Sequence, residues 1–388
     1  MGQKKFCQEE ANQQLYSMVV RRRVTIKQVA EQTGVSTQTV SRVINGRPDV
    51  AAGTRQRVLE AIEQLGYQPN ALARSLIRRR SHTLGVVTAG LTYIGPAYTL
   101  NGITDQAEAM GYSLLLKVLP SFESNEVIPI LDELLARQVD GVIWAVAEVG
   151  NNHAWMDERL PVLPVPIIFL TMHPQPEVNV VAIDNYIGGR MATEHLLQQG
   201  YRRIGHVTGP LAWWESRQRM AGWRDALTEA GISVCDSHWA EGDWSPESGA
   251  EAIQRLLEQY PDMDAVFVAN DQMAFGVLSV ACRRGLPIPG ALAVVGFDGI
   301  PEAAYLCPSL TTVHQDLYAL GRTAVQHVVA MVEASQHADQ EIQTADVIWL
   351  KPQLIVRESS LAANHLDDAA GRMDQVSSVV HASRLRSV

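Results

Sequence analysis

The sequence predicts a small all-α helix-turn-helix domain followed by a much larger α/β domain of doubly wound, mostly parallel sheet. Three observations predict it. Two short amphipathic patterns flank Gly34-Val35 within residues 24–46. From Thr83 onward, short apolar runs alternate with helical patterns, the signature of parallel strands covered on both faces. Charge is also divided: residues 21–80 hold twelve Lys/Arg against four Asp/Glu, a balance of +8 in a 388-residue chain of net charge −10. Residues 1–20 balance to zero, so −18 falls on residues 81–388. A basic segment on an acidic body confines phosphate contacts to one end of the molecule.

The first helix reads from Ile26 to Thr33, with Ile26, Val29 and Ala30 on one face. Gly34 supplies the turn. Ser36 is placed to cap the second helix by accepting an exposed N–H. In that helix Val40, Val43 and Ile44 face one way, while Gln38, Ser41 and Arg42 face the other. Gln38 and Arg42 lie one turn apart and project together. Gln reads adenine and Arg reads guanine, each with two hydrogen bonds. Thr37 sits at the helix N-terminus, where helix-turn-helix proteins approach the bases. A third helix runs from Thr54 to Leu65, with Val58, Leu59, Ile62 and Leu65 apolar and Gly66 as its stop. A helix pair with an ordinary solvated polar face is the bland alternative; the adjoining charge and the next block argue against it.

Two motifs carry a family resemblance: Val35-Ser36-x-x-Thr39-Val40-Ser41-Arg42-Val43-Ile44-Asn45, and Tyr67-x-Pro69-Asn70-x-x-Ala73-Arg74-Ser75-Leu76. The chain resembles the lac repressor family of bacterial transcription regulators over residues 24–358. The resemblance implies a DNA-binding headpiece at 21–68, with Thr25, Ser36, Thr37, Gln38, Thr39, Ser41, Arg42 and Asn45 toward DNA. It also implies a hinge helix and linker at 69–81, where Asn70 and Ala73 contact DNA and Leu76 wedges into the minor groove. Such a short helix is unstable alone and orders on DNA, and an apolar wedge unstacks a base step and bends the duplex. Residues 1–20 read as a flexible arm.

Strand candidates in the large domain are Leu84–Thr88, Leu114–Leu119, Gly141–Val146, Val165–Leu170, Ile204–Val207, Ala265–Ala269 and Ala291–Phe297. Helical patterns cover Asn185–Gln199, Ser216–Ala230, Ser248–Gln259 and Asp271–Arg284, and Gly200, Gly231 and Gly285 are natural stops. The pattern alone allows one sheet. The resemblance implies two subdomains facing across a cleft, as in periplasmic sugar-binding proteins. The first would span 82–182 and 315–344, the second 183–314 and 345–358. Leu366, Met373 and Val380 repeat every seven residues, but Gly371 interrupts so short a repeat, and 359–388 reads as a flexible tail. A dimer is therefore expected rather than a tetramer.

Ligands of such sheets bind beyond the strand C-termini, where Arg217, Asn270 and Asp298 follow strands. Arg offers a donor fork, Asp acceptors and Asn both, a mixture suited to vicinal hydroxyls. Trp244 offers an indole face to a sugar ring. The resemblance implies that Arg217, Asn270 and Asp298 bind ligand hydroxyls, that Trp244 stacks, and that Gln315 lies near the inducer site. Thr171 stands where the lac repressor pattern has an acidic residue, and Tyr93 belongs to the wall opposite. The expected effector is a neutral sugar, a galactoside first, that releases a palindromic operator from a dimer.

Three rivals compete with that reading. An enzyme lacks support: no G-x-S-x-G, H-E-x-x-H, P-loop or G-x-G-x-x-G occurs in its required setting. His195 falls inside a helical pattern, and Asp184 suits a loop contact. A sugar-binding protein without a regulatory role has no use for a helix-turn-helix. A regulator that needs a corepressor, such as a purine, remains open on these residues. Cys7, Cys235, Cys282 and Cys307 are widely spaced without a metal-ligand pattern. No cofactor or metal is expected, nor a membrane span, and the expected compartment is the cytoplasm.

Overall fold

The computed structural model describes residues 24–67, 80–122, 127–335 and 346–362. They fold as two units divided between Ser81 and His82. The first contains α1 (Ile26–Thr33), α2 (Thr37–Ile44) and α3 (Ala52–Leu65). Thr25 opens α1, its backbone N–H donating to Gln28 Oε1 at 2.8 Å. Gly34 closes α1 at φ 68°, the left-handed conformation that glycine adopts without steric cost. Ser36 Oγ then accepts from the Thr39 amide at 3.1 Å, starting α2. Val29, Ala30, Val40, Val43, Val58 and Ala61 form a core shared by the three helices.

The second unit has two lobes. The first opens with β1 (Thr83–Ala89), α4 (Ile94–Ala109), β2 (Ser113–Leu119), α5 (Val127–Ala136), β3 (Gly141–Ala145), α6 (Met156–Arg159), β4 (Ile167–Leu170) and β5 (Val180–Ile183). The chain then crosses to the second lobe. There it forms α7 (Asn185–Gln198), β6 (Ile204–Thr208), α8 (Trp214–Glu229), β7 (Trp239–Glu241), α9 (Pro246–Gln259), β8 (Ala265–Val268), α10 (Asp271–Arg284), β9 (Ala293–Asp298) and β10 (Thr311–His314). It returns for α11 (Leu317–Ala334) and β11 (Val347–Leu350), then crosses again for β12 (Gln353–Ile355).

Each lobe has a six-stranded sheet, ordered β2-β1-β3-β4-β5-β11 in the first and β7-β6-β8-β9-β10-β12 in the second. β11 runs parallel to β5, with Val347–Leu350 opposite Val180–Ile183, whereas β12 runs antiparallel to β10. This corrects the expected boundary, because residues 347–350 complete the first sheet and do not belong to the second lobe. The physical reason is the unpaired edge of β5, which a parallel strand arriving from α11 satisfies. Central strands such as β4, β5 and β8 are buried along their whole length, so their apolar runs do not alternate.

Helix pairs in both lobes meet through facing glycines. A Cβ on Gly102 would lie 2.1 Å from the Tyr318 carbonyl oxygen, and one on Gly321 would lie 2.2 Å from that of Thr99. These glycines let α4 and α11 touch backbone to backbone. Gly189 and Gly222 do the same for α7 and α8, at 2.3 Å from Arg219 O and 2.2 Å from Tyr186 O. Gly249 and Gly276 do it for α9 and α10. Among the described residues no helix is long and apolar enough to cross a membrane.

Candidate functional site

The headpiece presents α2. Ser36, Thr37, Gln38 and Arg42 are exposed, while Val40 and Val43 are buried beneath them. The nearest charge to Arg42 is Asp49, with Nη1 and Oδ2 3.6 Å apart at the surface. An exposed pair of that kind holds its partners weakly, so the guanidinium can swing to a base. Ser41 is half-buried. Thr39 Oγ1 lies 2.9 Å from Ser36 Oγ in the cap, and Asn45 Nδ2 donates to the Ser41 carbonyl at 2.8 Å. These two groups already serve the ends of α2. Thr25 is exposed at the start of α1. Asn70, Ala73 and Leu76 lie outside the described residues.

In the second unit a cleft between the lobes gathers the C-terminal ends of strands from both sheets, as doubly wound sheets arrange. It holds about 810 Å³ of unfilled space, part of it open to solvent. Tyr93, Ile94, Pro96 and Thr99 come from the start of α4; Ala145, Ala147, Leu170 and Thr171 from the ends of β3 and β4; Leu317 and Leu320 from α11. Trp213, Glu215 and Arg219 stand on the other side with Trp244, Asn270, Gln272 and Asp298. Gln315 sits at the crossing after β10.

Six of the seven residues expected to hold effector therefore line the cleft: Tyr93, Thr171, Trp244, Asn270, Asp298 and Gln315. Arg217 does not. Its Nη1 donates to the carbonyls of Leu211 at 3.1 Å and Ala212 at 2.8 Å, and its Nη2 pairs with Glu148 at 3.2 Å. It clamps a loop. The arginine in the cleft is Arg219, and the reason is helical phase. α8 begins at Trp214, two residues before the expected Ser216, and its inward row is Glu215, Arg219, Trp223 and Leu227. Arg217 lies two positions off that row.

Arg219 is 5 % exposed. Its Nε donates to Asn185 Oδ1 at 2.8 Å, and its Nη1 donates to the Ala269 carbonyl. The guanidinium lies over the Phe297 ring, 3.8 Å from the centroid, and 5.5 Å from that of Trp244. Its Nη1 stands 3.7 Å from Asp298 Oδ1, which also accepts from Gln315 Nε2 at 2.6 Å. Burial pushes the Asp298 carboxyl up to about 6, against the pull of Arg219 and Gln315. Asp271, behind the cleft, pins the loop that carries Asp298. Its Oδ2 accepts from the Gly299 and Ile300 amides, each at 2.9 Å, and its Oδ1 from Thr312 Oγ1 at 2.7 Å. Burial and the Asp298 charge push Asp271 up to about 8.

Asn270 caps α10, its Oδ1 accepting from the Met273 amide at 2.8 Å while its Nδ2 donates to the Trp244 carbonyl at 3.1 Å. It thus seats Trp244 as well as facing the cleft. Gly209 makes room for that indole, because a Cβ there would lie 2.2 Å from the ring. Trp213 meets Trp244 edge-on at 5.6 Å and Tyr93 at 6.1 Å, so aromatic surface continues across the cleft. Val149 and Trp213 form an antiparallel bridge between the lobes beside the Glu148–Arg217 pair. Thr171, Trp244 and Asp298 have φ of 53°, 78° and 110°. Non-glycine residues held there are strained, and such strain gathers at ligand sites.

Sequence reasoning missed Arg219, Trp213, Glu215 and Asn185 as parts of this site. The spacing of Glu215, Arg219 and Trp223 at i, i+4 and i+8 was the available signal.

Comparison with known proteins follows the same division. The family described as "Bacterial regulatory proteins, lacI family" matches residues 25–70, and "Periplasmic binding protein-like domain" matches residues 193–360. Catabolite control protein A of Priestia megaterium is 35 % identical over 339 residues, which is 87 % of this chain and 99 % of that protein. The HTH-type transcriptional repressor PurR of Haemophilus influenzae is 34 % identical over 337 residues, 86 % of this chain and 98 % of that one. The lac repressor dimer bound to operator and the anti-inducer ONPF superposes with a TM-score of 0.77 at 31 % identity, covering 88 % of this chain and 100 % of that one. The complex of the transcriptional regulator CelR with cellobiose superposes with a TM-score of 0.64, also at 31 % identity, covering 87 % and 100 %.

Proposed function

The chain belongs to the lacI family of bacterial regulatory proteins, and from that premise we propose that it binds a palindromic operator as a dimer and releases it when a neutral sugar, a galactoside first, fills the cleft. At the coarser level it is a transcriptional repressor that binds DNA and a small effector, and it is not an enzyme. The observation that carries the sugar reading is the floor of the cleft. Arg219, Asp298 and Gln315 offer donors and acceptors side by side under the aromatic faces of Trp244 and Trp213. Hydroxyls that both donate and accept match the polar groups, and the apolar face of a pyranose matches the indoles. One solved relative is named with a sugar, cellobiose.

A second reading makes the effector a purine corepressor. Its support is the 34 % identity to PurR, together with the same aromatic walls, which would stack on a base. The two readings predict opposite signs. A sugar inducer lowers operator affinity, and a purine corepressor raises it. Operator titrations with methyl β-galactoside, cellobiose, hypoxanthine and guanine separate them; tight purine binding with no heat from any sugar would sink the sugar reading. Trp244→Phe should remove much of the fluorescence change on sugar binding, with the other seven tryptophans as background.

Base reading is assigned to Gln38 and Arg42 on α2. Arg42→Ala should lose roughly 1–3 kcal/mol against the preferred operator and relax specificity at one base pair per half-site. Effector binding should stay intact. Unchanged discrimination across operator variants would remove Arg42 from the reading face.

A further inference from the structure

One group in the cleft has no counterpart in the arrangement described so far. Glu215, in the first turn of α8, is 8 % exposed and lines the cleft. Its Oε2 has no hydrogen-bond partner. The two nearest arginines on its own helix are engaged elsewhere: Arg217 with Glu148 and two carbonyls, Arg219 with Asn185, Ala269 and Asp298. The cleft thus holds one carboxylate more than its cations balance. A buried acceptor left unmade is costly, and a ligand that supplies a donor recovers that cost.

We propose, resting on the sugar reading above, that Glu215 sets the charge class of the effector: its free oxygen accepts a hydrogen bond from a hydroxyl of a neutral sugar, and its charge turns away acidic and phosphorylated sugars. Arg219, one helical turn away on the same face, is held by Asn185, the Ala269 carbonyl and Asp298, which leaves the Glu215 oxygen to a donor on the ligand. Anionic ligands meet both Glu215 and Asp298 in a cleft where charges are poorly screened.

Protonation gives the proposal a signature. Burial holds the Glu215 carboxyl up at about 7, with Glu148 of the loop after β3 adding to the rise and Arg219 and Arg217 opposing it. Burial pushes Asp298, on the same side of the cleft, up to about 6. A hydroxyl donated to Glu215 favours its ionised form, so binding expels a proton to solvent. Affinity for a neutral sugar should then rise with pH between 6 and 7, by at most about tenfold per unit. A ligand that accepted a hydrogen bond from a protonated Glu215 would give the opposite slope.

The test is calorimetry on the full chain and on Glu215→Gln with methyl β-galactoside, galacturonate and galactose 1-phosphate, at pH 6, 7 and 8 in buffers of differing ionisation heat. The wild type should bind the neutral sugar at least tenfold more tightly than either anion and release a proton. Glu215→Gln should narrow that preference several-fold and lose the proton release belonging to residue 215, leaving only the shallower slope of Asp298. A preference and slope unchanged in Glu215→Gln would overturn the proposal and leave the sugar reading standing. Failure of every sugar to bind the wild type would instead overturn the sugar reading and the proposal with it.

The free protein supplies a control on folding. The folded pKa of Glu215 lies above the ordinary 4.5, so the native state holds a proton that the unfolded chain gives up. The Glu215 contribution to stability should fall from about pH 4.5 through about pH 7. Glu215→Gln should lack that part of the pH dependence, Asp298 and Asp271 keeping theirs, and melt higher than wild type at pH 8. Equal melting profiles would show that the carboxylate is already partnered, against the proposal.

Discussion

Arg219→Ala should abolish the response to effector and lower the melting temperature of the large unit. The guanidinium holds four groups at once: Asn185, the Ala269 carbonyl, Asp298 and the face of Phe297. Its loss leaves Asp298 without a cation and the Ala269 carbonyl without that donor. Removing one partner of a buried ion pair typically costs about 3–5 kcal/mol. Arg219→Lys should recover part of the stability but little of the binding, because an ammonium cannot reproduce the planar fork. Arg217→Ala is the contrast. That side chain is 43 % exposed, so its pair contributes about 1 kcal/mol or less once screened, and effector binding should persist. Calorimetry on the three variants decides the matter. If Arg217→Ala silences binding and Arg219→Ala does not, the role returns to Arg217.

The second large effect concerns the backbone contact behind that arginine. Gly222→Ala would set a methyl 2.2 Å from the Tyr186 carbonyl oxygen and 2.7 Å from the Arg190 amide nitrogen. Neither atom belongs to a flexible side chain, so α7 and α8 must separate. Overpacking of this kind costs about 1–3 kcal/mol, and here it also disturbs the Arg219–Asn185 bond that joins the same two helices. Stability and effector affinity should therefore fall together. Gly53→Ala is the control, since a Cβ there meets nothing within 4 Å; it should leave the large unit's melting unchanged. A Gly222→Ala protein with wild-type melting would show that the helix pair has slack.

Much of this was readable before any coordinates. The headpiece announces itself because Gly34, Ser36 and the spacing of Val29, Val40 and Val43 are local signals. Most lobe strands are continuous apolar runs between glycines and helical patterns. What could not be read was partnership at a distance. β11 and β12 are four and three residues long, and nothing in Val347–Ile355 says which sheet each will join. Tyr93, Trp244, Asp298 and Gln315 were legible because they follow strands or match the family pattern. Arg217 was read as the arginine after a strand and given the family's ligand role; Arg219, two residues on and more than half a turn around α8, occupies the face of Glu215 and Trp223 instead. Glu215 shows itself only in the structure, once Glu148 from the other lobe has taken Arg217.

The three crossings set a mechanical limit on the large unit. Ile183 and Asn185 belong to different lobes with one residue between them, His314 and Leu317 with two, and Leu350 and Gln353 with Lys351-Pro352 alone. Even the longest of these threads, three residue steps, reaches only about 10 Å when fully drawn out. The lobes can tilt on such leashes but cannot drift apart, and a nick in any one leaves two intact. No single cut of the gene yields either lobe whole. Exchanging one lobe for that of a relative takes three splices, each placed within a residue or two, so the cleft is inherited as a unit.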